Sequence, residues 1–260
     1  MNTQKINYKS IKQTTMKQTS ALIFSIAIIL ATIILSYTYL NRYPKNHSGH
    51  VEVKGMGQTN FDSDLIVWEG KFTKENRNLK DAYSQINNDK NIVQNFLISK
   101  GLTDQEIIFG AVRTNEISKT LYSNEGKIIG DEFLGYELSQ QVMIESNDVD
   151  KVEKVSRLIT EVLNNGVRFY SFEPRYYFSG LSNLKIDLIS KATEDARIRA
   201  EKIAMNSGAE LGDLISADMG VLQIVGQNSG ESYSWGGTFN TSSRKKTASI
   251  TMELEYKIEN

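Results

Sequence analysis

The chain has 260 residues, with 30 basic against 31 acidic side chains, two histidines and no cysteine. Without cysteine there is no disulfide, no thiolate nucleophile and no cysteine metal site. The first 45 residues carry six basic residues and no acid, so the rest holds 24 basic against 31 acidic, a net charge near −7, which argues against nucleic-acid binding.

Residues 1–20 contain Lys5, Lys9, Lys12 and Lys17, and residues 21–40 contain no charged residue at all. A helix of that length rises about 30 Å, enough to cross the hydrocarbon core of a bilayer. Tyr37, Tyr39 and Tyr43 stand at its far end, where aromatic residues favour the interface. The preceding lysines predict a cytoplasmic N-terminus, with Arg42 and Lys45 weakening the asymmetry without reversing it. The competing reading is a cleaved signal peptide, against which stand the long apolar run and the poor cleavage site after Ser36. Residues 1–20 are thus read as a basic cytoplasmic segment, 21–40 as a transmembrane signal anchor, 41–50 as a polar linker and 51–260 as the domain.

The domain opens with an alternating strand from Val51 that reaches Gly55 and Gly57. A second strand over 65–72 puts Ile66, Trp68 and Phe72 on one face. Residues 78–100 form a helix with Leu79, Ala82, Tyr83, Ile86, Val93, Phe96 and Leu97 on one side, closed by Gly101. Residues 107–122 form a long strand region and, after a turn at 123–126, residues 133–145 another. Asp148 or Asn147 caps a helix bearing Val152, Val155, Ile159 and Val162, which ends at Gly166. A strand over 167–178 leads to a long helix over 182–207. Its apolar stripe is Ile189, Ala192, Ala196, Ala200 and Ile203, and alanine lets a helix lie close to a sheet. A strand over 214–225 follows, then a polar loop over 226–246. The last strand, 247–258, has Ala248, Ile250, Met252, Leu254, Tyr256 and Ile258 facing one way and polar residues facing water.

This order predicts an α+β domain, a twisted, mostly antiparallel sheet with three helices packed on it, preceded by one N-terminal transmembrane helix. The strand–helix–strand units at 65–122 and 133–178 suggest an internal duplication.

Chemistry is sparse. His47 and His50 both precede the domain's second strand, so no histidine general base or Ser-His-Asp triad is available beyond that point. Their spacing fits a metal poorly in a linker. Carboxylate candidates are Asp131 with Glu132, Asp148 with Asp150, and Asp213 with Asp218, each better read as a turn, cap or surface acid. Gly55 and Gly57 lack the third glycine and the following helix of a phosphate loop. No catalytic, cofactor-binding or metal-binding residue is expected. The 226–246 loop is the candidate contact surface, through Tyr233, Trp235, Phe239 and Arg244, the alternative being an excursion that lies on its own domain.

Together these stretches resemble the SIMPL domain family of exported bacterial proteins, which includes periplasmic immunogenic and oxidative-stress-defence proteins. The resemblance rests on Val51, Val53, Gly55 and Gly57, on Gly135, Tyr136 and Val142, and above all on Ala192, Asp195, Ala196, Arg197, Ala200, Glu201, Ala204, Gly208, Leu211 and Gly212. It implies an extracytoplasmic α+β domain, homo-oligomeric assembly in some members, no established catalytic residue and a link to stress tolerance. The long apolar run departs from members with an evident cleavable signal. The expectation is a non-enzymatic, single-pass protein of the bacterial inner (cytoplasmic) membrane, its domain in the periplasm or outside, acting through self-assembly or partner binding. The alternatives are a periplasmic small-molecule or peptide-binding module using the 226–246 loop, and a hydrolase using carboxylates alone.

Overall fold

A computed structural model describes residues 25–39 and 49–259. Residues 25–39 are helical (α1), and the ends of the run expected to cross the membrane, 21–24 and 40, lie outside the described residues, as do the basic segment and His47. Among the described residues no helix is long and apolar enough to cross a membrane.

A separate compact unit runs from Val51 to Ile258. It contains two sheets, not the single sheet expected. In chain order its strands are β1 (His50–Asp62), β2 (Leu65–Asn76), β3 (Ile107–Phe109), β4 (Arg113–Tyr122), β5 (Ile128–Ser146), β6 (Arg168–Ser171), β7 (Arg175–Tyr177), β8 (Glu210–Met219), β9 (Gln223–Gly226), β10 (Thr238–Phe239) and β11 (Lys245–Glu259). Its helices are α2 (Leu79–Ser99), α3 (Val149–Leu158) and α4 (Leu181–Asn206), with a 3-10 segment, Ile159–Asn165, that the expectation of three helices lacked. The described residues thus hold four α-helices and mixed sheets, since β9 and β10 pair in parallel.

One sheet runs β3-β5-β2-β6, with β4 beside β5 and β7 beside β2. The two strand–helix–strand units read from the sequence interleave here. Each supplies one central strand, β2 and β5, paired antiparallel from Ile66 opposite Ser146 to Asn76 opposite Tyr136. This is the split β-α-β arrangement, which places both helices on one face. The buried faces of α2 and α3 close over Ile66, Trp68, Phe72, Leu138, Val142 and Ile144. The Trp68 indole donates to Ser171 Oγ at 3.0 Å, so the polar end of a fully buried ring is satisfied. Asn78 caps α2 by accepting from the Lys80 and Asp81 amides. Leu79 and Tyr83, read as part of its buried face, are exposed, and Asp89 is buried instead, paired with Lys74 at 3.1 Å. The strand regions at 107–122, 167–178 and 214–225 are each broken in two. At 167–178 the break holds Pro174, which has no amide to give a ladder.

The second sheet runs β1-β11-β9-β10, with β8 also on β11. α4 covers one face of it with Leu188, Ala192, Ala196, Ala200 and Ala204, all buried and four residues apart. The stripe is therefore an unbroken row of four-residue steps, inclined to the helix axis, instead of the mixed spacing expected, and Ile203 is left 46% exposed. Gly55 and Gly57 of β1 sit directly beneath. A Cβ on Gly55 would lie 2.2 Å from the Ala192 carbonyl oxygen, and one on Gly57 would lie 2.1 Å from that of Leu188. Helix and strand backbones thus meet with no side chain between them. Between the two glycines, the Met56 amide donates to Asp195 Oδ2 at 2.9 Å, and Arg199 Nε holds the same oxygen at 3.0 Å. β1 has no second partner strand among the described residues, so Asp195 occupies a donor on an open sheet edge.

Two outcomes follow. Gly55→Ala inserts a methyl group against backbone that cannot yield, so it should cost about 3 kcal/mol, read as a lower urea midpoint with unchanged slope. The Met56 amide, and then Arg199, hold the Asp195 carboxyl below its ordinary value of 3.8. Its stabilisation is therefore present above that value and lost as pH falls through the lower folded-state value. Asp195→Ala should cost about 1 kcal/mol near neutrality, the low end because the carboxylate is a third exposed. The gap from the parent should narrow in melts recorded at progressively lower pH.

Candidate functional site

The expected contact loop joins β9 to β11, and its polar composition hides an ordered core. Lys246 is 1% exposed. Its ammonium donates to the Asn240 carbonyl at 2.6 Å, the Asn240 side-chain oxygen at 3.2 Å and the Ser243 carbonyl at 2.5 Å. Three donors meet three acceptors, which is what a buried ammonium requires. Burial pulls this lysine down to about 8, against the opposing pull of Glu231, so it stays charged at neutral pH. The Glu231 carboxylate accepts from the Gly226 amide at 2.9 Å and from Asn240 Nδ2 at 2.6 Å. Those bonds, the Gly226 amide first, hold Glu231 below the usual glutamate range. Gln223 closes the arrangement. Its amide donates to the Ser234 carbonyl at 2.7 Å and accepts from the Ser234 amide at 3.3 Å.

The loop therefore lies on its own domain. It covers the part of β11 expected to face water, so Thr247 and Ser249 are buried as well as Ala248 and Ile250. Beyond residue 250 the expected alternation returns.

The four residues singled out in this loop part company. Arg244 is a clasp: its guanidinium pairs with Asp150 at 2.6 Å and Glu153 at 3.6 Å, both on α3. The Arg244 carbonyl takes the Ser63 amide, and the Thr241 carbonyl takes that of Tyr176 on β7. The same corner holds the Tyr176 hydroxyl at about 12, through burial and its hydrogen bond with Glu153. Phe239 lies in β10, 48% exposed. Tyr233 and Trp235 do come together, along one wall of a groove of about 520 Å³. Facing them are Met56 of β1, Met219 and Val221 at the β8–β9 break, and Ser249 and Thr251 of β11. Trp235 is wholly exposed at 101%. No charged residue lines the groove. The sequence offered no signal for Met56, Met219 or Val221, because they converge on the loop from two separate segments.

The carboxylate candidates stay apart. Asp131 accepts from Thr120 across the β4–β5 ladder, Asp148 caps α3 through the Lys151 amide, Asp150 pairs with Arg244, and Asp213 lies 4.0 Å from Lys257. A pair that was not anticipated joins Glu52 to Glu253, where a shared hydrogen bond holds the Glu52 carboxyl above the usual range. Lys54 also holds Glu253, at 3.0 Å, and the group sits at the surface, outside the groove. Among the described residues no cluster of three histidine, aspartate or glutamate side chains could hold a metal ion.

A second exposed apolar surface lies elsewhere. β4 and β5 continue past the end of β2 as a two-stranded arm. Opposite Ile117, β5 passes Gly135 with φ +154°, where a Cβ would lie 2.8 Å from the Asn76 carbonyl oxygen. From there outward, β5 pairs only with β4. The arm exposes Tyr122, Ile128, Ile129, Phe133 and Leu134.

Replacing Lys246 with methionine removes three donors from a dry site and strands two backbone carbonyls. It should cost about 2–3 kcal/mol and open residues 227–244 to limited proteolysis while leaving the far-UV spectrum unchanged.

Comparison with curated proteins found no match. The model of the SIMPL family, described as proteins of unknown function (DUF541), matches residues 51–256, which takes in both sheets, α2 to α4, the groove and the arm. The chain belongs to the SIMPL family.

Proposed function

We propose that this chain is a non-enzymatic, membrane-anchored protein of the bacterial cell envelope that works by assembling with further copies of itself through the β4–β5 arm. The observation that carries the reading is the arm. A two-stranded ribbon alone in water is marginally stable, and this one presents five large apolar side chains to solvent. Its outer edges are also free to pair among the described residues. Charge favours a second copy as the occupant. The sequence beyond residue 45 carries a net charge near −7, so copies repel over most of their surface. Residues 113–135 hold three basic and four acidic residues and lack that barrier.

The anchor, with its cytoplasmic N-terminus and its domain in the periplasm or outside, rests on the uncharged run at 21–40 and the lysines before it. The non-enzymatic reading rests on the missing cysteine and on the absence of histidine after residue 50. A role in stress tolerance rests on family resemblance alone. The second reading, a binding module using the 226–246 loop, is favoured by the groove beside Trp235.

Residues 49–260 contain both hydrophobic cores. Light scattering of that fragment at micromolar concentration should give a discrete multiple of the monomer mass. The double variant Ile128→Asn, Ile129→Asn should give the monomer with an unchanged far-UV spectrum, because both side chains are exposed. A monomeric parent, or an oligomer indifferent to the double variant, ends the proposal.

A further inference from the structure

We propose that the groove between Trp235 and the two methionines is a binding site for a neutral aromatic small molecule, separate from the arm. Its position follows from strand alternation. Gly55 and Gly57 face α4, so Met56 between them points to the opposite face of the sheet. Ser249 and Thr251 share that face, and Tyr233, Ser234 and Trp235 rise beside them. The result is a walled recess on an otherwise open sheet face, with a volume of about 520 Å³, within the range of small-molecule sites.

The lining fixes the class of ligand. An ionised ligand would lose its water with no opposite charge to meet, because no lining residue is charged. A peptide adding itself as a strand is disfavoured too. The floor strand β11 already pairs with β1 on one side and with β8 and β9 on the other, so its backbone is used. The Gln223 amide is spent at both ends on Ser234. What remains is the Met56 and Met219 thioethers, the Val221 side chain, an indole face, the Thr251 hydroxyl and the Tyr233 hydroxyl, which accepts from Ser249 Oγ at 3.4 Å. Thioethers and an indole favour a flat ring through sulfur–aromatic contact and offset stacking. The Tyr233–Ser249 pair and Thr251 offer a few polar contacts beside the ring.

The wall is held in place before a ligand arrives. The Gln223–Ser234 pair, and Glu231 with Asn240, fix the loop on both sides of Tyr233 and Trp235. The backbone is then ordered in advance, and the Trp235 side chain is what binding has still to order. Trp235 itself is wholly exposed, so it contributes nothing to the core and its replacement tests binding without testing folding.

The test uses the full chain in lipid nanodiscs with 5-fluoroindole as a neutral aromatic probe, followed by fluorine NMR. The parent should broaden the probe resonance saturably, with one site per chain. Trp235→Ala and Val221→Asp should each weaken binding at least tenfold, and a melt equal to the parent's confirms that each variant is folded. Equal broadening by the parent and both variants reports partition into lipid and overturns the proposal, as does absence of saturable binding. The arm variant Ile128→Asn, Ile129→Asn should bind the probe as the parent does. Failure of self-assembly and failure of this site are thereby told apart. If the arm variant alone loses the probe, the aromatic site is on the arm and the groove assignment falls.

Discussion

The domain depends on one close approach, the contact of α4 with β1 at backbone distance. Two glycines on the strand and alanines four apart on the helix remove every side chain that would hold them apart. Dispersion contacts fall off steeply with distance, so backbone-to-backbone packing gains contacts that larger residues forfeit elsewhere. Such packing carries a cost. A helix this close leaves little room for water at the strand edge, so an amide facing it needs a protein partner. Asp195 supplies that partner at Met56. Ala192, Asp195 and Ala196 are thus one mechanical unit, two small residues for approach and one acid for the strand.

The same alternation that turns Gly55 and Gly57 inward turns Met56 outward, so the features on the two faces of the sheet are linked through one strand. The second link is the strap formed by residues 227–244. At one end it is held by Glu231 on the Gly226 amide, and at the other by the Lys246 ammonium, by the pairing of Arg244 with Asp150 of α3 and by the bond of the Thr241 carbonyl with β7. It ties the sheet under α4 to the sheet under α2 and α3. Its polar residues are therefore structural where they bond to one another, and Tyr233, Ser234 and Trp235 line the groove.

What could be read in the sequence was local. The alternation of 247–258 and the helical stripe expected at Ile189, Ala192, Ala196, Ala200 and Ile203 are properties of a strand and a helix by themselves; the alternation appears from residue 250 onward, and the stripe appears with Leu188 and Ala204 in place of Ile189 and Ile203. Capping by Asp148 is equally local. The division into two sheets was not legible, because it depends on which strands meet across long separations. β1 pairs with β11, nearly two hundred residues away, while its neighbour β2 pairs with β5. The burial of Lys246 was hidden for a similar reason. A lysine in a Ser- and Gly-rich run looks solvated until the carbonyls of Asn240 and Ser243 are known to close on it. Arg244 read as an exposed contact because its partners, Asp150 and Glu153, belong to a helix ninety residues upstream. The groove has no sequence signature at all, since its walls come from β1, the β8–β9 break and the strap.

The two tryptophans occupy opposite extremes of environment. Trp68 is 0% exposed with its indole nitrogen bonded inside the core, and Trp235 is 101% exposed on the strap. Indole emission shifts to the blue in dry surroundings and to the red in water. The intrinsic fluorescence of this protein is therefore the sum of two separable populations. A collisional quencher dissolved in water reaches one and not the other, which leaves a spectrum of the core alone. The chain carries its own pair of optical probes, one for the integrity of the buried sheet and one for whatever touches the strap.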